Sequence, residues 1–210
     1  MNRYFSKSKW AALFSVLPRP LKIFYEIRYR GLGSVPLAIL TILCFGATYA
    51  INRAGASIVV SDIDPRWVNL PRESMGVLSL FVLFSVANWS VTCLMDGEGR
   101  FADILTVVGY ALLPLIITWL PSTALSWFIA ANEQAFYYLF IWAGAIWSGF
   151  LIITGLMTVH AFSLGKTFLS LLLTAVSICI IIFVALMLVN LLNQLLTFIR
   201  SVYTEIIFML

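Results

Sequence analysis

An acidic turn at residues 96–103 is the densest group of chemically capable side chains in the sequence. Three interpretations are open: a contact loop for a basic partner surface, a turn whose last carboxylate caps the next helix, and a divalent-cation site, since carboxylates are hard oxygen ligands. We carry these residues forward as candidate partner contacts and predict no bound metal. They are Asp96, Gly97, Glu98, Gly99, Arg100 and Asp103.

The rest of the sequence lacks the usual residues of catalysis. His160 is the one histidine, which excludes histidine dyads and histidine metal clusters. We expect it to be a polar residue at the membrane interface. Cys44, Cys93 and Cys179 form no CxxC pair, and we expect unpaired thiols buried in apolar helices. Since there is also no phosphate-loop motif, we predict that the protein is not an enzyme and has no cofactor.

Composition places the chain in a membrane. Hydrophobic residues make up 62% of it and charged residues 10%, whereas soluble domains have roughly 45–50% and about 25%. The net charge of +4 does not indicate a nucleic-acid partner, because the basic residues do not lie on a polar folded domain. The lipid bilayer is therefore the first predicted partner.

Hydropathy predicts an all-α integral membrane protein with five transmembrane helices, an amphipathic N-terminal region and a long C-terminal helix. No span contains an acidic or basic residue well inside it, which argues against an ion-coupled carrier. We divide the chain into residues 1–34, a membrane domain at 35–189 and an extension at 190–210. The predicted spans are 35–52, 74–95, 105–128, 135–158 and 167–189.

The basic residues predict the orientation. With the N-terminus in the cytoplasm, nine lysines and arginines lie on that side and four on the other, as the positive-inside bias requires. We therefore predict a cytoplasmic N-terminus and an external C-terminus. The nine are Arg3, Lys7, Lys9, Arg19, Lys22, Arg28, Arg30, Arg100 and Lys166, and the four are Arg53, Arg66, Arg72 and Arg200.

Residues before the first span alternate aromatic and basic side chains at helical spacing. We predict one or two amphipathic helices on the membrane surface, with basic groups toward anionic headgroups. A solvated cytoplasmic tail is the alternative. The candidate membrane-surface residues are Trp10, Phe14, Lys22, Phe24 and Arg28.

Two further patterns concern packing inside the membrane. Pro114 and Pro121 are expected to kink the third span twice, because proline removes a helical hydrogen bond. In the fourth span, Gly144 with Ser148, and Ala145 with Gly149, are small-residue pairs that permit close helix approach.

The C-terminal segment is longer than a membrane requires. Residues 167–210 contain no proline or glycine, and a helix of this length extends roughly 66 Å, against a hydrocarbon core of about 30 Å. Its last part carries one polar stripe. Such a helix either lies in the outer interface or docks on a partner subunit. The candidate docking residues are Asn190, Asn193, Gln194 and Thr197.

The order of these features resembles the Yip family, named for Ypt/Rab-interacting proteins, and in particular its bacterial branch. The resemblance implies no catalytic residues. Eukaryotic relatives are linked to vesicle trafficking, and bacterial relatives are often associated with carbohydrate ABC importers. The matching segments are Ile27-Arg-Tyr-Arg-Gly-Leu-Gly-Ser34, Ala87-Asn-Trp-Ser, Asp96-Gly-Glu-Gly-Arg-Phe, Tyr110-Ala-Leu-Leu-Pro114 and Trp147-Ser-Gly-Phe150.

Together these observations predict an accessory or scaffold subunit of a membrane transport complex in the bacterial inner membrane. The resemblance implies that the partner is the permease of a carbohydrate ABC importer. A membrane-shaping or trafficking scaffold is the first alternative, and a carrier or channel that acts alone is the second.

Overall fold

A computed structural model describes residues 6–61 and 63–209; Arg3 and Asp62 lie outside this part of the chain. Within it, every regular element is helical. Short 3-10 helices at Pro65–Trp67 and Ala131–Glu133 precede α4 and α7. The α-helices are α1 (Lys7–Ser15), α2 (Pro20–Arg30), α3 (Val35–Gly55), α4 (Leu70–Leu94), α5 (Phe101–Ala111), α6 (Leu113–Leu125), α7 (Gln134–His160) and α8 (Leu164–Met209).

The predicted all-α fold with five membrane-spanning segments and a long C-terminal helix is confirmed, and the chain is an integral membrane protein. The division at residues 34 and 189 stays a prediction. We call the end of the bundle with residues 95–100 the turn end, and the opposite end, with residues 126–133, the far end. In the described part of the chain, the spanning segments are Val35–Gly55, Leu70–Leu94, Phe101–Leu125, Ala131–His160 and Leu164–Glu205.

The third span is interrupted once, near the first of its two prolines. It divides into α5 and α6 at Leu112, two residues before Pro114. Pro114 has no N–H to donate, and Leu112 tightens the end of α5 by donating to the carbonyl of Gly109 at 3.3 Å. Pro121 lies inside α6, which continues through it, and the second predicted kink stays a prediction. Hydroxyl groups beside a proline help a membrane helix to continue, and Ser122 and Thr123 both bond the Trp119 carbonyl.

Small residues set the closest helix contacts. Gly144 lies against Thr118 of α6, and Ser148 on the same face of α7 is 3% exposed. Gly149 has no neighbour within 4 Å of where a side chain would begin, so its predicted role in close packing is wrong. One residue turns a helix by about 100°, which carries Gly149 off the face that meets α6.

The N-terminal helices belong to the core of the bundle. Phe24 is fully buried, and its ring lies 3.2 Å from where a side chain on Gly155 of α7 would begin. The prediction that Phe24 contacts the membrane surface is therefore wrong, because Gly155 leaves space for the ring between α2 and α7. Trp10 and Phe14 are 37% and 54% exposed, and their membrane contact stays a prediction.

Helix α8 leaves the bundle after its first three turns. Thr167, Ser170 and Thr174 are buried, whereas the side chains described beyond residue 181 are exposed. In the apolar 18-residue segment of this span, 6% of the residues are buried inside the protein. The corresponding segments of the other four spans are 33–67% buried. A helix of 46 residues extends about 69 Å, more than twice the hydrocarbon core.

Candidate functional site

The acidic turn folds back onto the end of α4. Asp96 adopts a left-handed conformation with a φ of 56°, and the N–H of Gly97 donates to the carbonyl of Thr92 at 2.8 Å. This hydrogen bond closes the open end of α4 and directs the chain into α5.

An arginine of the same chain contacts the turn. Arg28 of α2 donates through Nη1 to Oδ2 of Asp103 at 3.1 Å and through Nη2 to the carbonyl of Glu98. The two paired side chains are 15% and 19% exposed. The prediction that Arg28 faces lipid headgroups is wrong, because its guanidinium is already held by the turn.

Asp103 also caps α5. Its Oδ2 accepts from the N–H of Arg100 at 3.3 Å, which places a negative charge at the N-terminus of the helix. The side chains of Asp96, Glu98 and Arg100 remain exposed, so their contact with another protein stays a prediction. Among residues 6–61 and 63–209, no three metal-ligating side chains come together.

His160 forms the floor of the turn. Its Nδ1 accepts from the N–H of Gly99 at 3.2 Å, and its ring stacks on Phe162 with centroids 5.3 Å apart. Because Nδ1 accepts, the neutral ring carries its proton on Nε2, a buried atom without a partner among the described residues.

His160 lies at the end of α7, and its position at the membrane interface stays a prediction; its side chain is packed inside the protein, with 2% exposed. Both glycines of the turn lie against the ring. A side chain on Gly97 would begin 2.6 Å from Nδ1, and one on Gly99 would begin 2.5 Å from Cε1. The two glycines of the turn were the signal that a ring packs against it.

A second polar cluster at the far end was not predicted. Asn52 of α3 donates to the hydroxyl of Thr123 of α6 at 2.7 Å, and Tyr137 of α7 donates to Oδ1 of Asn52 at 3.0 Å. All three side chains are buried. The cluster joins three spanning segments where they leave the hydrocarbon.

Tyr137→Phe should lower the stability of the bundle by about 1 kcal/mol, because the variant leaves Oδ1 of buried Asn52 without its donor. Thermal unfolding in detergent measures this change. Tyr138→Phe is the matched control, since the Tyr138 hydroxyl is exposed and its bond to the Val60 carbonyl is 3.3 Å long. Equal midpoints for the two variants would contradict the role of the cluster.

Another buried pair holds α8 to α4. Asn88 donates to the hydroxyl of Thr174 at 3.0 Å, and both side chains are fully buried. In contrast, Asn190, Asn193, Gln194 and Thr197 are exposed. No contact brings this stripe to the acidic turn or to the far-end cluster.

The cysteines are unpaired, but all three are exposed on the surface of the helices rather than buried between them. The expectation that Cys44, Cys93 and Cys179 are buried is therefore wrong. Their thiols lie on surfaces that face lipid or a partner, and they have no partner of their own in the structure.

A protein-family model matches most of the chain. The Yip1 domain model matches residues 14–187, from the end of α1 to the middle of α8. No curated protein and no solved structure matches the chain. Residues 188–210, which carry the polar stripe, lie beyond the family match.

Proposed function

Because the chain belongs to the Yip1 domain family, we propose that it is a non-enzymatic accessory or scaffold subunit of a membrane transport complex, such as a carbohydrate ABC importer. The proposal places it in the bacterial inner membrane, with its N-terminus in the cytoplasm. Its function is to bind and position the subunits that move substrate.

The low burial of α8 carries this proposal. The other four spans bury 33–67% of their apolar windows inside the bundle, and this one buries 6%. Asn190, Asn193 and Gln194 present amide donors and acceptors along one stripe of a helix whose other faces are largely apolar. A partner helix with polar side chains would satisfy them, and α8 presents them beyond the bundle of its own chain.

The placement of charge favours a supporting role over independent transport. Ionisable side chains in the spans lie near the ends, where Arg53 and Glu73 pair at 3.6 Å and Asp103 pairs with Arg28. Ion-coupled carriers usually hold an acidic side chain or a histidine at mid-membrane, whereas the acids of these spans lie near the ends. In the proposed complex, Asp96, Glu98 and Arg100 are the remaining turn residues available to a partner.

Affinity purification in a mild detergent tests the proposal. Wild-type chain should recover a permease and an ATPase, and a variant with Asn190→Leu, Asn193→Leu and Gln194→Leu should lose them. The matched control is Asn190→Gln, Asn193→Gln and Gln194→Asn, which keeps every amide and should retain both partners. Recovery of the wild-type chain alone from its native membrane would contradict the proposed function.

A further inference from the structure

The α1–α2 hairpin reaches far into the bundle. Arg28 near the end of α2 lies at the turn end, where it pairs with Asp103. Four residues earlier, Phe24 packs at Gly155. At the tip, Leu17 shares a cavity of about 320 Å³ with Gly144 and Trp147 of α7. The hairpin therefore follows α7 away from the turn end.

Two buried polar residues at opposite ends of α7 give a scale for how deeply the hairpin enters the membrane. Along α7, Tyr137 at the far end and His160 at the turn end are about 35 Å apart, slightly more than the hydrocarbon thickness of about 30 Å. Trp147 lies about 20 Å from His160 on this scale. The tip at Leu17 is thus near the middle of the membrane, which defines a re-entrant hairpin rather than a helix on the surface.

This geometry carries two basic residues into the membrane. Arg19 and Lys22 are nine and six residues before Arg28, and α2 places them up to about 14 Å and about 9 Å deeper. Both side chains are exposed, and neither pairs with a described carboxylate. Glu26, the acid of α2, pairs with Arg30 at 3.7 Å.

An apolar groove lies along the same hairpin. Leu13 of α1 lines a cavity of about 250 Å³, and Leu17 lines one of about 320 Å³. Ile117 of α6 lines both, so the two cavities adjoin along that helix. Leu17 is two residues before Arg19, so the hairpin carries an apolar groove and two unpaired cations on neighbouring segments, which match an amphiphile with an anionic head.

We propose that Arg19 and Lys22 bind the phosphate of an anionic phospholipid in the leaflet at the turn end, with an acyl chain in the groove lined by Leu13, Leu17 and Ile117. An uncompensated cation in hydrocarbon is costly. A lipid phosphate drawn down to the hairpin supplies the counter-charge that the chain itself lacks there. This site is independent of the proposed complex and does not involve the α8 stripe.

Lipid retention after purification tests the site. We would reconstitute the full chain in vesicles of equal phosphatidylglycerol and phosphatidylcholine, extract it, and measure bound lipid by mass spectrometry. Wild type should retain phosphatidylglycerol preferentially. Arg19→Gln with Lys22→Gln should bind it about twenty-five-fold more weakly, since each cation contributes about a factor of five to anionic-lipid binding.

The matched control is Arg72→Gln with Arg200→Gln, which removes two exposed cations from other surfaces and should leave retention unchanged. Glycerol phosphate should not compete, because it has no acyl chain for the groove. Equal retention of both lipids, retention by the Arg19 and Lys22 variant, or displacement by glycerol phosphate would each overturn the proposal.

The depth of the hairpin can be tested without removing the cations. In a chain whose native cysteines are replaced by serine, a membrane-impermeant maleimide in open membrane sheets should label Tyr29→Cys quickly. It should label Pro18→Cys as slowly as Ala143→Cys in the middle of α7. Labelling of Pro18→Cys at the rate of Tyr29→Cys would place the hairpin on the surface and overturn the proposal.

Discussion

Gly109→Leu is expected to leave little folded protein, because it separates α3 from α5. A side chain at this position would begin 2.6 Å from the Cα, Cβ and carbonyl oxygen of Ala38. Backbone atoms cannot move aside as a flexible side chain does, so both helices must shift. The free energy of unfolding should fall by about 3 kcal/mol, at the upper end for overpacked cores. Thermal unfolding in detergent measures this change as a lower midpoint temperature.

Gly149→Leu provides the matched control for this prediction. The residue type and the substitution are the same, but Gly149 has no neighbour within 4 Å. We expect a change within about 0.5 kcal/mol, as for other surface substitutions. If the two variants unfold at the same temperature, the contact between α3 and α5 does not hold the bundle as described.

Arg28→Leu is the second substitution with a large expected effect. It removes the ion pair with Asp103 and the hydrogen bond to the Glu98 carbonyl, and it leaves the Asp103 carboxylate largely enclosed. Breaking a buried ion pair costs about 3–5 kcal/mol. Since these side chains are 15% and 19% exposed, solvent screening lowers the expected loss to about 2 kcal/mol.

Hydrogen exchange is the measurement that locates this effect. In Arg28→Leu, the amides of α2 should exchange faster, while those of α3 should change little. Arg30→Leu is the control, because Arg30 is 69% exposed and its pair with Glu26 is 3.7 Å long. The double variant Arg28→Leu with Asp103→Asn should be more stable than Arg28→Leu alone, since it keeps an acceptor for the Arg100 N–H and leaves no unpaired carboxylate. Unchanged protection of α2 would contradict the assigned role.

The spans were predictable because hydropathy and length determine them directly. Which face of each helix meets the bundle was less predictable. Phe24 and Arg28 lie at helical spacing with basic neighbours, a pattern typical of a surface helix. In the structure this face packs against the protein instead. Phe24 contacts Gly155, which is 131 positions away in the sequence, and Arg28 pairs with Asp103, which is 75 positions away.

The polar sites show the same limitation. Asn52 and Tyr137 are 85 positions apart, and each alone is an ordinary polar residue near the end of an apolar segment. His160 has no sequence neighbour that indicates burial. Its environment follows from Gly97 and Gly99, which permit the turn to approach the ring. Such contacts depend on how the helices pair, which periodicity along one helix does not determine.

Helix α8 is the opposite case, since the sequence alone showed that it is too long for one membrane crossing. The structure adds that the side chains described beyond residue 181 are exposed, while Asn88 and Thr174 hold the first half of the helix to α4. The polar stripe of Asn190, Asn193 and Gln194 therefore lies on a helix whose first half is anchored to the bundle.

Photo-crosslinking in native membranes tests most directly whether α8 docks on a partner subunit. A photoreactive amino acid would replace Gln194 on the polar stripe or Ile199 on the opposite face. We expect a discrete protein adduct from position 194, containing a subunit of the transport complex, and mainly lipid adducts from position 199. Lipid adducts alone from both positions would show that α8 lies in the membrane interface and would contradict the account.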